Sequence, residues 1–233
     1  MTLAAALYLA GRWDEIPAVI AEHRAAFAEQ RDSSCPFAMA GFPLGAVVLA
    51  ERGLPDLAHE VAAEMPESEW PVGMVEAMGA LAFLALGDAA RARDEARRVL
   101  DAGSRNYTEE PAIELLVLAD SLVALEDWEG LAAFLPELRA RQWLVALGPA
   151  TADRAEGLVA AASGKLGPAV ELLERAVAGF DALAVFEAAR TREQLAAIVP
   201  EPATRAELLA AALATYEALG AAPHVTRLRA LLA

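Results

Sequence analysis

The stretch Gly11-Arg12-Trp13-Asp14-Glu15-Ile16 recurs further along the chain as Glu126-Asp127-Trp128-Glu129-Gly130-Leu131. In both, a chain break is followed by Trp, acidic residues and the start of an amphipathic segment. Working outward, equivalent breaks fall at Gly53, Gly87 and Gly164, so the five are spaced 42, 34, 39 and 38 residues apart. Each separates an upstream apolar, helix-compatible segment from a downstream amphipathic one. The upstream segments are 2–10, 36–52, 72–86, 109–125 and 149–163; the downstream ones are 14–30, 55–65, 88–102, 127–142 and 166–182. A sixth pair occupies 185–199 and 203–219, and a short last helix occupies 223–232. Strand-like alternation over β-branched residues is almost absent. Repetition on this scale indicates an all-α array of helical hairpins, expected to form a single domain over 1–233.

Punctuation supports these ends. Pro55, Pro111, Pro168 and Pro202 stand where first helical turns begin, where the missing N–H costs nothing. Thr108, Asp88 and Asp127 are N-cap residues by type and place. Glu137 with Arg141, Asp94 with Arg98, and Glu171 with Arg175 are acid-before-base pairs four apart. Pro43 and Pro136 fall inside helical pattern and should kink or shorten those helices.

Composition limits the function classes. The 233 residues are 57% hydrophobic and carry a net charge of −15, with 58 alanines and a single lysine, Lys165, among 19 basic residues. So apolar a chain buries a core despite its charge. An acidic chain is a poor ligand for nucleic acid, whose phosphates call for a basic stripe, or for an anionic membrane surface. Cys35 is the lone cysteine, so no intramolecular disulfide forms and a multi-thiolate zinc site is excluded. No targeting or membrane-spanning segment is evident, and a reducing, cytoplasmic location is expected.

The turn residues carry a family resemblance. Gly11 to Ile16 resembles the hairpin turn of a tetratricopeptide repeat: Gly, a polar residue, an aromatic, acids and an aliphatic residue. The stretch at 126–131 repeats it with Trp in the same place. Gly87-Asp88-Ala89-Ala90-Arg91-Ala92 and Gly164-Lys165-Leu166-Gly167-Pro168-Ala169 keep the turn Gly and a small residue five later. Ala169 and Ala176 match the family's two small positions on the second helix, and the turn Trp covers the end of the hairpin seam. The resemblance implies a right-handed α-solenoid of about six such hairpins with a C-terminal capping helix. Phe186-Glu187-Ala188-Ala189-Arg190-Thr191-Arg192, and Tyr216 to Ala221 before a closing helix, are similar to the C-terminal region of two bacterial signalling classes. These are ATPase-linked class III adenylate/guanylate cyclases and LuxR-type transcription regulators. The resemblance implies that the chain is a fragment of a larger multidomain protein.

A search for chemistry yields little. His59-Glu60 resembles the opening of a zinc helix, but Ala63 stands where the second His is required. His23 reads as a hydrogen-bonded packing residue. Gly157 to Lys165 lacks both the glycine spacing and the hydroxyl residue of a phosphate loop. No Gly-x-Ser-x-Gly elbow occurs, and Cys35 has no His nearby to activate it. The acid clusters Glu67 with Glu69, Glu109-Glu110 and Asp94-Glu95 read as solvated capping rather than acid/base pairs. Neither a metal nor a cofactor is expected.

What remains is the inner face made by the first helices of the hairpins. The repeat register places Met74, Met78, Asp120, Thr151, Arg154, Arg190 and Gln194 towards it, though each also has a plain reading as a contact between neighbouring hairpins. The expected role is therefore a non-catalytic interaction and regulatory scaffold, whose partner is a protein, a peptide or sister domains of the parent chain. A small-molecule sensor with its ligand in the concave groove is the alternative; an all-α enzyme would need activity that depends on Asp120 or Arg154. An open-ended array exposes apolar hairpin faces, which allows a homodimer through the N-terminal hairpin around Leu3 and Leu7.

Overall fold

The computed structural model describes residues 2–29, 41–64, 73–102, 113–142 and 146–232, with side chains omitted at 26–29, 73 and 74. Thirteen α-helices and no strand occur among the described residues. They are α1 (Leu3–Leu9), α2 (Ile16–Glu29), α3 (Gly41–Glu51), α4 (Pro55–Ala63), α5 (Gly73–Ala85), α6 (Ala89–Ala102) and α7 (Ile113–Ala124). The chain continues with α8 (Trp128–Arg141), α9 (Gly148–Ala162), α10 (Leu166–Asp181), α11 (Val185–Ile198), α12 (Pro202–Leu219) and α13 (Ala222–Leu232). Thr108, Pro111, Cys35 and the acid clusters at 67–69 and 109–110 lie outside the described residues.

The turns share one backbone design. Gly11, Gly53, Gly87, Gly164 and Gly220 all have positive φ, and so does Glu126 at 55°. At each, two bonds close the helix end in the same pattern: Gly11 N–H to the Tyr8 carbonyl and Arg12 N–H to that of Leu7, and likewise Gly164 to Ala161 and Lys165 to Ala160. This is the Schellman termination, in which a left-handed residue lets the last carbonyls find donors. The five breaks read from the sequence are five of these six turns. Downstream, Asp88 and Asp127 accept from the N–H groups of Arg91 (3.1 Å) and Gly130 (2.8 Å), as caps should. Pro55 and Pro202 occupy first-turn positions. Pro136 neither ends nor shortens α8, which runs to Arg141.

The chain forms two compact units, Met1–Ser121 and Leu122–Ala233. In the first, α1 packs on α2 and α3, α3 on α2, α4 and α5, and α5 on α6. In the second, α8 packs on α9, α9 on α10 and α11, α11 on α10 and α12, and α12 on α13. Consecutive pairwise packing of this kind is a helical-repeat arrangement, consistent with a solenoid. Small residues make the close approaches: Ala92 and Ala96 on α6, and Ala169 and Ala176 on α10, are fully buried. Larger side chains there would overpack the seam. The cores between are apolar, Leu131, Leu138, Leu173 and Phe180 being wholly buried, each contributing about 1.5–3 kcal/mol through removal from water.

At the first turn, Trp13 is buried, stacks on Tyr8 at 5.7 Å and donates its indole N–H to the Tyr8 carbonyl. Trp128 packs against the Leu158–Leu173–Leu195–Val199 cluster of the second unit. The closing helix α13 is seated by buried Leu228 and by His224, whose ring lies 4.6 Å from Tyr216 and edge-on to Phe186. Glu193 ties this end together, accepting from the Tyr216 hydroxyl (3.3 Å) and pairing with Arg227.

Three expectations are corrected in detail. Leu3 is 62% exposed but Leu7 is buried, because it sits on the face of α1 turned to the core. His23 packs against Phe42 as expected, yet its Nδ1 is buried without a hydrogen-bond partner, and that burial holds its pKa below the ordinary value. Of the acid–base pairs, Glu137–Arg141 forms at 3.0 Å; Arg98 instead reaches Glu95 and Glu76, and Arg175 reaches Asp153.

Candidate functional site

Among the described residues the most deeply buried charges, Arg154 and Glu187, lie on two first helices of the second unit. Along α11, Glu187, Arg190, Thr191 and Gln194 recur at i, i+3, i+4 and i+7, which sets them on one face. On α9, Thr151 and Arg154 do the same. The Arg154 guanidinium donates to Glu187 at 2.5 Å, with both side chains essentially inaccessible to water. Arg190, a quarter exposed, approaches the same carboxylate at 3.3 Å from one helical turn away. Arg154 also lies 4.9 Å from the Phe180 ring centroid and Arg190 5.9 Å from that of Phe186, so each cation has an aromatic face to lie against.

The two threonines are turned back on their own helices, Thr151 donating to the Leu147 carbonyl and Thr191 to that of Glu187. That leaves the carboxylate to the arginines. Burial pushes the Glu187 pKa up, but Arg190 and Arg154 outweigh it, and the group is held below the ordinary carboxylate range. A carboxylate so held is a weak general base at neutral pH and is not protonated to act as an acid. Its chemistry is to fix two guanidiniums in place. Beyond Arg190, Gln194 has its Oε1 buried without a hydrogen-bond partner.

Of the seven residues singled out from the sequence, Arg154 and Arg190 are brought together, and Thr151 and Gln194 lie on the same two helices. Met78, on α5, and Asp120, on α7, are buried and belong to the first unit. Met74 is the second residue of α5, and its side chain is outside the described set. Glu187, the residue that joins the arginines, was missed. Its signal was present: a lone acid between Phe186 and two alanines, three before Arg190, on a face that should otherwise be apolar. Among the described residues no group of three or more His, Cys, Asp or Glu could hold a metal ion. His59 donates its Nδ1 proton to the Pro55 carbonyl of its own helix. No helix among the described residues is long and apolar enough to cross a membrane.

No protein-family model matches this chain, and comparison with curated proteins and with solved structures gives no match.

Proposed function

We propose that this chain is a non-catalytic protein-interaction and regulatory scaffold. In this reading it is a right-handed solenoid of about six tetratricopeptide-like hairpins, and it belongs to the C-terminal helical region of a cyclase-type or LuxR-type signalling protein. The observation that carries the reading is the Arg154–Glu187–Arg190 cluster. Helix packing alone does not require it, since burying ions is costly and apolar side chains fill such sites as well or better. A guanidinium already fixed by a buried carboxylate and an aromatic ring loses little freedom on meeting a partner. Arg190, paired with Glu187 but a quarter exposed, can share its guanidinium with a partner carboxylate, with the Gln194 amide a turn beyond. On a chain of net charge −15, the segment that fits is of mixed charge, with an acid for Arg190 and bases for the acidic surroundings.

The test is photo-crosslinking in the source cells from a reactive amino acid placed at Gln194, and separately at exposed Glu171 on α10. A discrete partner is expected at 194 and not at 171, and it should be lost with Arg190→Gln. Equal labelling from both positions, or labelling indifferent to Arg190, would overturn the reading.

A further inference from the structure

The first unit contains a pocket unrelated to that cluster. It lies between α2, α3 and α4, has a volume of about 130 Å³ and is open to solvent on one side. Its floor is apolar: Ile20, Val48 and Val61 close around Gly45. Gly45 is what lets α2 and α3 meet, because a β-carbon there would lie 2.1 Å from the Ile20 Cδ1. The solvent side differs in kind. Two arginines, Arg24 of α2 and Arg52 just after α3, complete the lining, with 49% and 22% of their side chains exposed. Each is held by an exposed carboxylate, Arg24 by Glu64 through the Nε and Nη2 groups of one guanidinium edge and Arg52 by Asp14 at 2.6 Å.

An apolar floor beneath two cations defines a ligand class. The size suits a branched aliphatic or single-ring tail, since an engineered apolar cavity of about 150 Å³ takes up benzene and stays free of water. Nothing on the floor offers a hydrogen bond, so the tail is hydrocarbon and the polar group sits at the mouth. There the guanidiniums select an anion, and the planar, bidentate geometry of Arg favours a carboxylate. Glu64 and Asp14 already show that chemistry in place. Exposed ion pairs of this kind are weak, so a ligand carboxylate can displace either acid while its tail supplies the burial that Glu64 and Asp14 lack. We propose that this pocket binds a small apolar monocarboxylate, its tail against Ile20, Val48 and Val61 and its carboxylate on Arg24 and Arg52.

The experiment titrates the full chain with 4-methylpentanoate and benzoate, following backbone amide shifts and the melting temperature. Parallel titrations use 4-methylpentanamide, which keeps the tail without the charge, and acetate, which keeps the charge without the tail. Either tailed carboxylate should raise the melting temperature, as any ligand specific for the folded state does, and should shift the amides of Ile20, Val48 and Val61. The amide and acetate should bind at least about tenfold more weakly, as should either carboxylate to the Arg24→Gln/Arg52→Gln double variant. Equal binding of the amide or of acetate, shifts confined to other parts of the chain, or no binding at about 10 mM (the weak end for ligands of this size) would each overturn the proposal. If the double variant does not fold, the carboxylate–amide comparison on the unaltered chain decides the matter alone.

Discussion

The first helices α3 and α11 occupy comparable positions and solve burial in opposite ways. Each is covered by several neighbours, α3 by α1, α2, α4 and α5, and α11 by α9, α10 and α12. In α3 the eight residues from Gly41 to Val48 are all buried and all apolar or glycine. In α11 the buried set includes Glu187 and Thr191 among Phe186, Ala188, Ala189 and Leu195. The hairpin position therefore demands burial and leaves the chemistry open. In α3 the fit is steric and depends on an absent side chain at Gly45; in α11 it is electrostatic and depends on a present one at Glu187. Substitutions should separate the two.

The largest effect is expected at α11. Glu187→Ala leaves the buried Arg154 without the carboxylate 2.5 Å away, and breaking one half of a buried pair costs about 3–5 kcal/mol. Urea unfolding at neutral pH measures it; a loss under about 1 kcal/mol would remove the contrast with α3. Replacing both partners, Arg154→Met with Glu187→Leu, should return the chain to within about 1 kcal/mol of its starting stability, because no buried charge is left behind. In the reading proposed above, that double variant folds and fails to bind.

Acid sharpens the same comparison. Because the native pKa of Glu187 is depressed, its stabilisation is complete above the unfolded value, near 4.3, and is lost as pH falls through the lower native one. The stability gap between the chain and its Glu187→Gln variant should thus be constant at neutral pH and narrow in acid. The buried run of α3 carries no titratable side chain, so a variant there should keep a pH-independent gap. Gly45→Ala is that variant. Its methyl would overlap the Ile20 Cδ1 at 2.1 Å, at an overpacking cost of about 1–3 kcal/mol. Ile20 can turn its terminal methyl aside, and Ala gains about 1 kcal/mol over Gly as a helix former. A net loss of about 1 kcal/mol remains, and a pH-dependent gap would show the contrast with α11 to be misdrawn.

What the sequence made legible is local. Helix ends were readable because a residue that takes positive φ fixes them within a few positions, as Gly11, Gly53, Gly87 and Gly164 do, with Pro55 and the cap Asp88 supporting two of them. Trp13 and the small residues Ala169 and Ala176 were readable because their roles follow from position in a hairpin. Glu187 was not. Its partner Arg154 is 33 residues away on another helix, and which side chains meet across two helices depends on their relative rotation and offset. The same holds for the pocket at Gly45, made by Ile20 and Val61 of other helices. Leu7 was misread for a related cause: α1 is only seven residues long, too short for periodicity to separate its buried face from its exposed one.

The smallest expected effect tests the turns, and the contrast there lies between two that share a design. Glu126 and Gly164 both hold positive φ, 55° and 75°, and both are followed by the same pair of closing hydrogen bonds. A side chain in the left-handed region costs about 1–2 kcal/mol, and a glycine returns about 0.5–1 kcal/mol of that through the freedom it adds to the unfolded chain. Glu126→Gly should therefore stabilise the protein by about 0.5 kcal/mol, and Gly164→Ala should destabilise it by a similar amount. A β-carbon at Gly164 meets nothing within 4 Å, so the second change isolates the backbone cost from any packing. If urea unfolding gave both variants the same sign, Glu126 would owe its place to its side chain and not to tolerance of strain; the fourth break would then differ in kind from the glycine breaks it was read with.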